Sequence, residues 1–237
     1  MVVQDIPTRR HILGLLLSER SDPDPYYRAL ATRTIAELPV AVDGASVIDL
    51  GCGSGHDAQA LQSQGAHVVS IDIDPESARR ALGRAIPAAA ASALAAPFGD
   101  HTFDGAYCSN VLEHVPCPQA FFDELARLVR PGGWAWVSWT NWYSPWGGHN
   151  ITPLHYLGPD RGLAAWSRLF GAPTKNVPGE GLFVTKISSV LDLVNDHRSL
   201  DLVDAWPRYY PSQRWVLSVP GLREVVTWNC ALWLQRR

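Results

Sequence analysis

The sequence predicts an α/β protein built on a mostly parallel sheet, and three observations carry that prediction. Val47-Ile48-Asp49-Leu50 is an apolar run that enters a loop with glycine at every second position, Gly51-Cys52-Gly53-Ser54-Gly55. Such a run reads as a buried parallel strand, and the glycines let the chain turn sharply against a ligand. From there to Trp139 strand-like and helix-like segments alternate, the pattern of parallel crossovers. The 237 residues, 46% of them apolar, suit one α/β domain, residues 1–237, with a sizeable core.

The elements follow in order. Residues 1–44 read as a helical lead-in. Arg9-Arg10-His11 and Ile12–Leu17 faintly resemble a secretory leader. The apolar part is short, and Glu19, Arg20 and Asp22 stand where small residues should be, so a docking segment is the better reading. Asp22-Pro23-Asp24-Pro25 starts a helix. Tyr27, Leu30, Thr34, Ile35 and Leu38 keep helical spacing until Pro39. Ser46–Leu50 is the first strand and Asp57–Gln64 the first crossover helix. His67–Ile71 is the second strand, followed by a helix over Pro75–Ile86 that Asp74 caps. A short third strand falls near Ala88–Ala91, where alanine favours it little. Phe103–Ser109 is the fourth strand and Pro118–Val129 an amphipathic helix. Arg130-Pro131-Gly132-Gly133 is a helix stop and turn before the fifth strand, Trp134–Trp139. Leu200–Ala205 and Thr227–Leu234 read as two final strands. The segments 140–199 and 206–226 are insertions, and all ten tryptophans lie at or beyond Trp134.

The glycine loop selects a ligand. A P-loop needs a lysine that is absent here. A dinucleotide fingerprint is G-x-G-x-x-G, and here the third glycine comes one residue early. Asp49, two residues before the first glycine, would repel a pyrophosphate. It suits a cation. S-adenosylmethionine carries a sulfonium and an ammonium group and no phosphate, so the sign of charge favours it over NAD.

Asp-Leu-Gly-Cys-Gly-Ser-Gly resembles motif I of the class I S-adenosylmethionine-dependent methyltransferases, in particular the small-molecule branch called type 11. The resemblance covers roughly residues 46–139 through four ordered motifs. It implies a doubly wound, Rossmann-like seven-stranded sheet with helices on both faces, closed by the last two strands as an antiparallel pair. Residues 45–139 would form the cofactor core, and the Trp-rich C-terminal insertions would cover the substrate. By the same resemblance Asp49, Gly51, Cys52, Gly53 and Gly55 line the cofactor loop, and Asp72 binds the ribose hydroxyls. The placing of Asp72 after the second strand independently suits that task; Asp74 is the nearby rival, but its neighbour Pro75 marks it as a helix cap. Ile73 would pack on the adenine, and Ala93 and Leu94 would flank it. Ser92 stands where the family usually has an aspartate for the adenine amino group, a departure that removes a charge. Asn110 ends the fourth strand, where α/β sheets present ligands. The Asn/Asp-Pro-Pro-Tyr/Phe sequence of amino methyltransferases is absent there, which lowers N-methylation of nucleobases. His114 matches a common family histidine, read first as a residue that holds its loop.

The segment Trp139–His149 follows the fifth strand at the same edge. His149 and His155 are the candidate catalytic bases, with loop histidines held by hydrogen bonds as the plainer reading. Trp142, Tyr143, Trp146 and Tyr156 are the candidate substrate contacts, or else the packing of an inserted lid. Arg208-Tyr209-Tyr210 and Arg214-Trp215 could hold an anionic substrate or only pack. Metal binding by His149 and His155, as for a catechol-type reaction, is the lesser alternative; no metal is expected, since no acidic ligand cluster accompanies the histidines.

Net charge is −3 with no basic block, which argues against nucleic-acid binding. The cysteines Cys52, Cys108, Cys117 and Cys230 show no paired spacing, the pattern of reduced thiols in a cytoplasmic protein. No apolar run is long enough to span a membrane. The sequence-level expectation is methyl transfer from S-adenosylmethionine to a small molecule or glycoconjugate, most readily on oxygen. The alternatives are C- or N-methylation, or a non-catalytic cofactor-binding or partner subunit. Oligomeric state is not legible.

Overall fold

Seven strands in the order β3-β2-β1-β4-β5-β7-β6 form the sheet of the computed structural model, which describes residues 6–16 and 21–237. Parts of the expected lead-in, residues 1–5 and 17–20, lie outside the described residues. The chain divides into two compact units, residues 1–93 and 94–237.

The first unit carries α1 (Arg9–Leu16), α2 (Asp24–Ala36), β1 (Ser46–Leu50), α3 (His56–Ser63), β2 (His67–Asp72), α4 (Pro75–Gly83) and β3 (Ala88–Ala90). β1 pairs parallel with β2 from Ser46↔His67 to Leu50↔Ile71, and β2 pairs parallel with β3. Val47, Ile48, Leu50 and Ile71 are fully buried, which explains why β1 reads as a continuous rather than alternating apolar run. Asp74 caps α4 by accepting from the Glu76 amide at 3.1 Å and the Ser77 hydroxyl at 2.9 Å.

The N-terminal helix α2 is tied to the glycine loop by a polar cluster. His56 Nε2 lies 2.8 Å from Asp24 Oδ1 and His56 Nδ1 lies 2.8 Å from Ser54 Oγ. Arg84 donates Nε to the Ser54 carbonyl at 2.7 Å and Nη2 to Asp24. These bonds hold the Asp24 carboxyl far below the usual carboxylate range, His56 contributing most and Arg84 next. A depressed acid stabilises the fold fully above its unfolded value and loses that contribution as pH falls toward its folded value. The stability of the protein is therefore expected to fall below about pH 4, and Asp24→Asn is expected to flatten that fall in urea titrations across the acid range. An unchanged acid limb in the variant would remove Asp24 from this role.

The second unit carries β4 (Phe103–Ser109), α5 (Pro118–Leu128), β5 (Val129–Thr140), α6 (Pro159–Phe170), α7 (Ile187–Asn195), β6 (Leu200–Pro207), α8 (Leu222–Val226) and β7 (Asn229–Arg236). β4 and β5 are parallel, and β7 runs antiparallel to both β5 and β6, as the last two predicted strands implied. One local expectation is corrected. Arg130-Pro131-Gly132-Gly133 is not a turn ahead of the strand but a bulge inside it. Val129 pairs with Phe103, and the register then jumps to Gly105↔Trp134. Gly132 at φ 78° and the bond from Arg130 Nε to Asp104 at 2.8 Å accommodate the extra residues. Stacked rings fill the core of this unit: Tyr107 on Trp136 with centroids 4.6 Å apart, and Trp134 on Trp233 at 5.3 Å. The inserted segment 140–199 has its own small core of Trp142, Ile151 and Leu182, against which Tyr143, Leu163 and Trp166 pack.

Candidate active site

The glycine loop takes the shape its composition demands. Gly51, Gly53 and Gly55 have φ of 78°, 51° and 82°, backbone that side chains other than glycine rarely adopt. The Gly51 and Cys52 amides donate to the Ile71 carbonyl at 2.8 and 3.1 Å, which binds the loop to the end of β2. A Cβ on Gly55 would sit 3.1 Å from Ala81, so the start of α3 and the body of α4 also need this glycine.

Two carboxylates frame the loop. Asp72 ends β2 and accepts from the Gly53 amide at 2.9 Å through Oδ2 and from the Asp74 amide at 2.9 Å through Oδ1. Each oxygen keeps acceptor capacity for a further donor. Asp49 is buried, and its Oδ2 has no hydrogen-bond partner. Burial pushes its carboxyl well up, and the charges of Asp57 and Asp72 add to the effect. An orphaned, buried carboxylate oxygen is what a cationic group of the methyl donor would satisfy, so the residues present fit S-adenosylmethionine. The same burial, with Asp49 and Asp72 nearby, keeps the Cys52 thiol protonated. Ile73, 77% exposed at the end of β2, offers an apolar face free for an adenine. Ser92 and Ala93 follow β3 in this unit. Leu94 begins the second unit.

Removing Asp72 deletes charge-assisted bonds of about 1.5–3 kcal/mol. Asp72→Ala is expected to weaken donor binding roughly 10- to 100-fold by calorimetric titration. Unchanged affinity would remove Asp72 from the site.

In the second unit, the carboxyl end of β4 meets that of β5. The Asn110 amide donates to the Ser138 carbonyl at 3.0 Å, and Asn110 itself has φ of 57°. Its side-chain oxygen accepts from Asn229 at 2.7 Å and from Arg208 Nη1 at 3.3 Å. Arg208 is buried, reaches Ser109 Oγ at 3.0 Å and Ser138 Oγ at 3.2 Å, and lies over the Trp136 ring. The Asn110 side chain thus belongs to a polar network that sequence reasoning did not assemble, because its members come from β4, β5, β7 and the residues just after β4 and β6.

The turn after β4 supplies Glu113 and His114. The loop after β5 brings His149 to them: one ligand atom from each of the three lies within 4.8 Å of the other two. The His114 and His149 rings meet edge to face at 5.1 Å. His114 Nδ1 donates to the Gly181 carbonyl at 2.6 Å, and His149 Nδ1 more loosely to the Trp146 carbonyl at 3.4 Å. A carbonyl only accepts, so in each neutral ring Nδ1 carries the proton and Nε2 keeps its lone pair. Glu113 is buried. Its Oε1 accepts from the Thr140 amide at 2.9 Å, while Oε2 has no partner. Burial raises the Glu113 carboxyl, opposed by His114. Burial, then the neighbouring His114 and His155, lowers His149 to about 4, so its imidazole is neutral at neutral pH.

His155 lies near His149 but is not part of that group. It is fully buried, with Nε2 3.1 Å from the Ser144 carbonyl and its ring packed against Trp142 and Tyr156. This is the placement of a loop-holding residue rather than of a base open to substrate. Trp142 is likewise packed away in the inserted core. Tyr143 is half-buried, whereas Trp146 and Tyr156 are 50% and 52% exposed. Trp146 and Tyr156 therefore keep faces available to a ligand, and Trp142 serves packing.

Fold and glycine turn together define the class, an S-adenosylmethionine-dependent methyltransferase. Known proteins agree. A family model described as a methyltransferase domain, of type 11, matches residues 48–137. An uncharacterized methyltransferase of Mycolicibacterium gilvum is 37% identical over 94% of this chain and 92% of its own length. One of Mycobacterium marinum is 37% identical over 100% of both chains. Among solved structures, an S-adenosylmethionine-dependent methyltransferase from Mesorhizobium loti superposes with a TM-score of 0.61 at 19% identity, covering 90% of this chain and 99% of that one. The geranyl diphosphate C-methyltransferase of Streptomyces coelicolor gives 0.62 at 15% identity, covering 97% and 85%. The chain belongs to the type 11 methyltransferase family. Among the described residues no helix is long and apolar enough to cross a membrane.

Proposed function

We propose that the protein transfers the methyl group of S-adenosylmethionine to a hydroxyl of a small molecule or glycoconjugate, the whole chain working as a single methyltransferase domain. The observation that carries this reading is the grouping of two imidazoles and a buried carboxylate at the ends of β4 and β5. In this reading the acceptor oxygen attacks the methyl carbon while the carbon–sulfur bond breaks and its electron pair stays on sulfur. S-adenosylhomocysteine leaves. The hydroxyl proton passes to the Nε2 lone pair of His149, with His114 and Glu113 beside it. Sulfonium is already a good leaving group, so positioning supplies most of the acceleration. A base contributes about 10²- to 10⁴-fold on an alcohol. Asp49, Gly51, Cys52, Gly53, Gly55, Asp72, Ile73, Ser92, Ala93, Leu94 and Asn110 are proposed to hold the donor. The acceptor would lie against Tyr143, Trp146 and Tyr156.

The reading is tested with methyl-labelled donor in extracts fractionated by size and polarity. Label is expected in a base-stable ether on a low-mass product or a glycoconjugate. Transfer is expected to fall at least about 100-fold in His149→Ala, the loss of a general base. Label on carbon or nitrogen would refute the oxygen assignment. Donor binding with no transfer to any fraction would refute catalysis and favour the partner-subunit alternative.

A further inference from the structure

We infer that Glu113, His114 and His149 form a binding site for a divalent transition-metal ion of the zinc or ferrous type. The inference deepens the proposed function, because it concerns the same side chains, and it rests on that reading only for the use made of the ion.

The donor set is the first argument. Two imidazoles and one carboxylate suit a borderline transition ion, whereas magnesium and calcium prefer shells made of oxygen. Tautomers are the second. Both histidines give Nδ1–H to a main-chain carbonyl, Gly181 for one and Trp146 for the other. That outer contact is the one metal-bound histidines generally make, and it leaves Nε2 with its electron pair. The carboxylate is the third and strongest. Glu113 is 1% exposed, one oxygen is held by the Thr140 amide, and the other has no partner. A buried, unpaired carboxylate oxygen costs free energy unless a cation or donor meets it. The three ligand atoms already lie within 4.8 Å of one another. Zinc holds such atoms at about 2.0–2.2 Å from itself, so they close in by side-chain rotation. Glu113 and His114 are adjacent on one turn, and His149 sits in the loop after β5.

Three protein ligands leave a coordination position open, the arrangement of sites that act on a bound oxygen rather than sites that only brace a fold. An acceptor hydroxyl taking that position would lose its proton more readily. With the ion bound this route replaces the transfer to His149: the Nε2 lone pair lies on the metal, and the proton passes to solvent.

The test reads metal rather than turnover. Full-length protein stripped with chelator is titrated with Co²⁺ without methyl donor. Ligand-field bands of a four- or five-coordinate ion are expected to saturate at a single equivalent, at micromolar concentration. Zn²⁺ is expected to displace them and Mg²⁺ not. Glu113→Gln keeps an amide oxygen for the Thr140 amide. It and His149→Ala are each expected to weaken binding at least about 10-fold, while exposed His67→Ala changes nothing. Absence of bands at millimolar Co²⁺, or bands unchanged in both Glu113→Gln and His149→Ala, would overturn the site. Should Glu113→Gln fail to fold, His149→Ala and His114→Ala decide. Metal binding and the labelled-donor assay are separate readouts, so either can fail alone.

Discussion

Asp49→Asn is expected to lower affinity for S-adenosylmethionine roughly 100-fold and at the same time to stabilise the donor-free protein. The two effects have one cause. Asp49 is buried, faces Ser70 across the β1–β2 pair, and has a carboxylate oxygen with no partner. Removing one member of a buried ion pair typically costs about 3–5 kcal/mol. Asparagine keeps the shape and a dipole, so the lower figure applies, and about 3 kcal/mol is roughly 100-fold. Without donor the carboxylate has nothing to balance it, and burial holds its pKa well above the ordinary value. For an acid with a raised folded pKa, the folded state binds the extra proton. Stability is therefore lost as pH rises from the unfolded value, about 3.9, toward the folded one. The variant's gain should be absent near that lower limit and grow with pH, read as a urea midpoint measured at several pH values. At a pH below the folded value, donor binding should also release a proton from wild-type protein. Calorimetry in buffers of different ionisation enthalpy detects that release, and Asp49→Asn should abolish it. Weaker binding together with a less stable donor-free protein would refute this account of Asp49.

What the sequence made legible is what depends on neighbours in the chain. The β1 run, the glycine turn, the Asp74 cap and the late antiparallel pair are all local patterns, and each lies where its spacing put it. The candidate site was less legible because its parts come from distant segments. His149 was singled out from its place after the fifth strand, but its expected companion was His155. The fold instead turns His155 into the inserted core beside Trp142 and brings His149 to His114 and Glu113. Glu113 reads as an ordinary polar residue until its burial is known. The run Arg130–Gly133 misled for a related reason: proline and glycine mark a turn by composition, but pairing on both sides of them kept the chain in the sheet. Arg208 could be read as anion binding or packing. Its hydrogen bonds to Ser109, Asn110 and Ser138 place it at the joint of β4, β5 and β6.

Gly147→Ala is expected to cost about 3 kcal/mol, the upper part of the range for overpacking, and to lower the unfolding midpoint by about 6–12 °C. A Cβ at this position would lie 1.9 Å from the Trp142 carbonyl oxygen and 2.5 Å from that of Asn141. Those atoms are backbone and cannot rotate away, so the turn that returns the chain from β5 must open. Opening it displaces Trp142 from the inserted core and His149 from His114. Co²⁺ affinity and methyl transfer should therefore both fall at least about 10-fold, each tenfold corresponding to about 1.4 kcal/mol. Donor affinity should fall less, because most of the proposed donor contacts, the glycine turn and Asp72 among them, lie in residues 1–93. The neighbouring glycine separates packing from chemistry. A Cβ on Gly148 would meet the His155 ring at 2.4 Å, a side chain that can be removed. Gly148→Ala should destabilise strongly in wild type and much less in a His155→Ala background, with a coupling of about 0.5–3 kcal/mol. Simple additivity would mean that His155 does not brace this loop and would return it to the list of candidate bases. Strong coupling leaves His149 as the histidine that this loop presents.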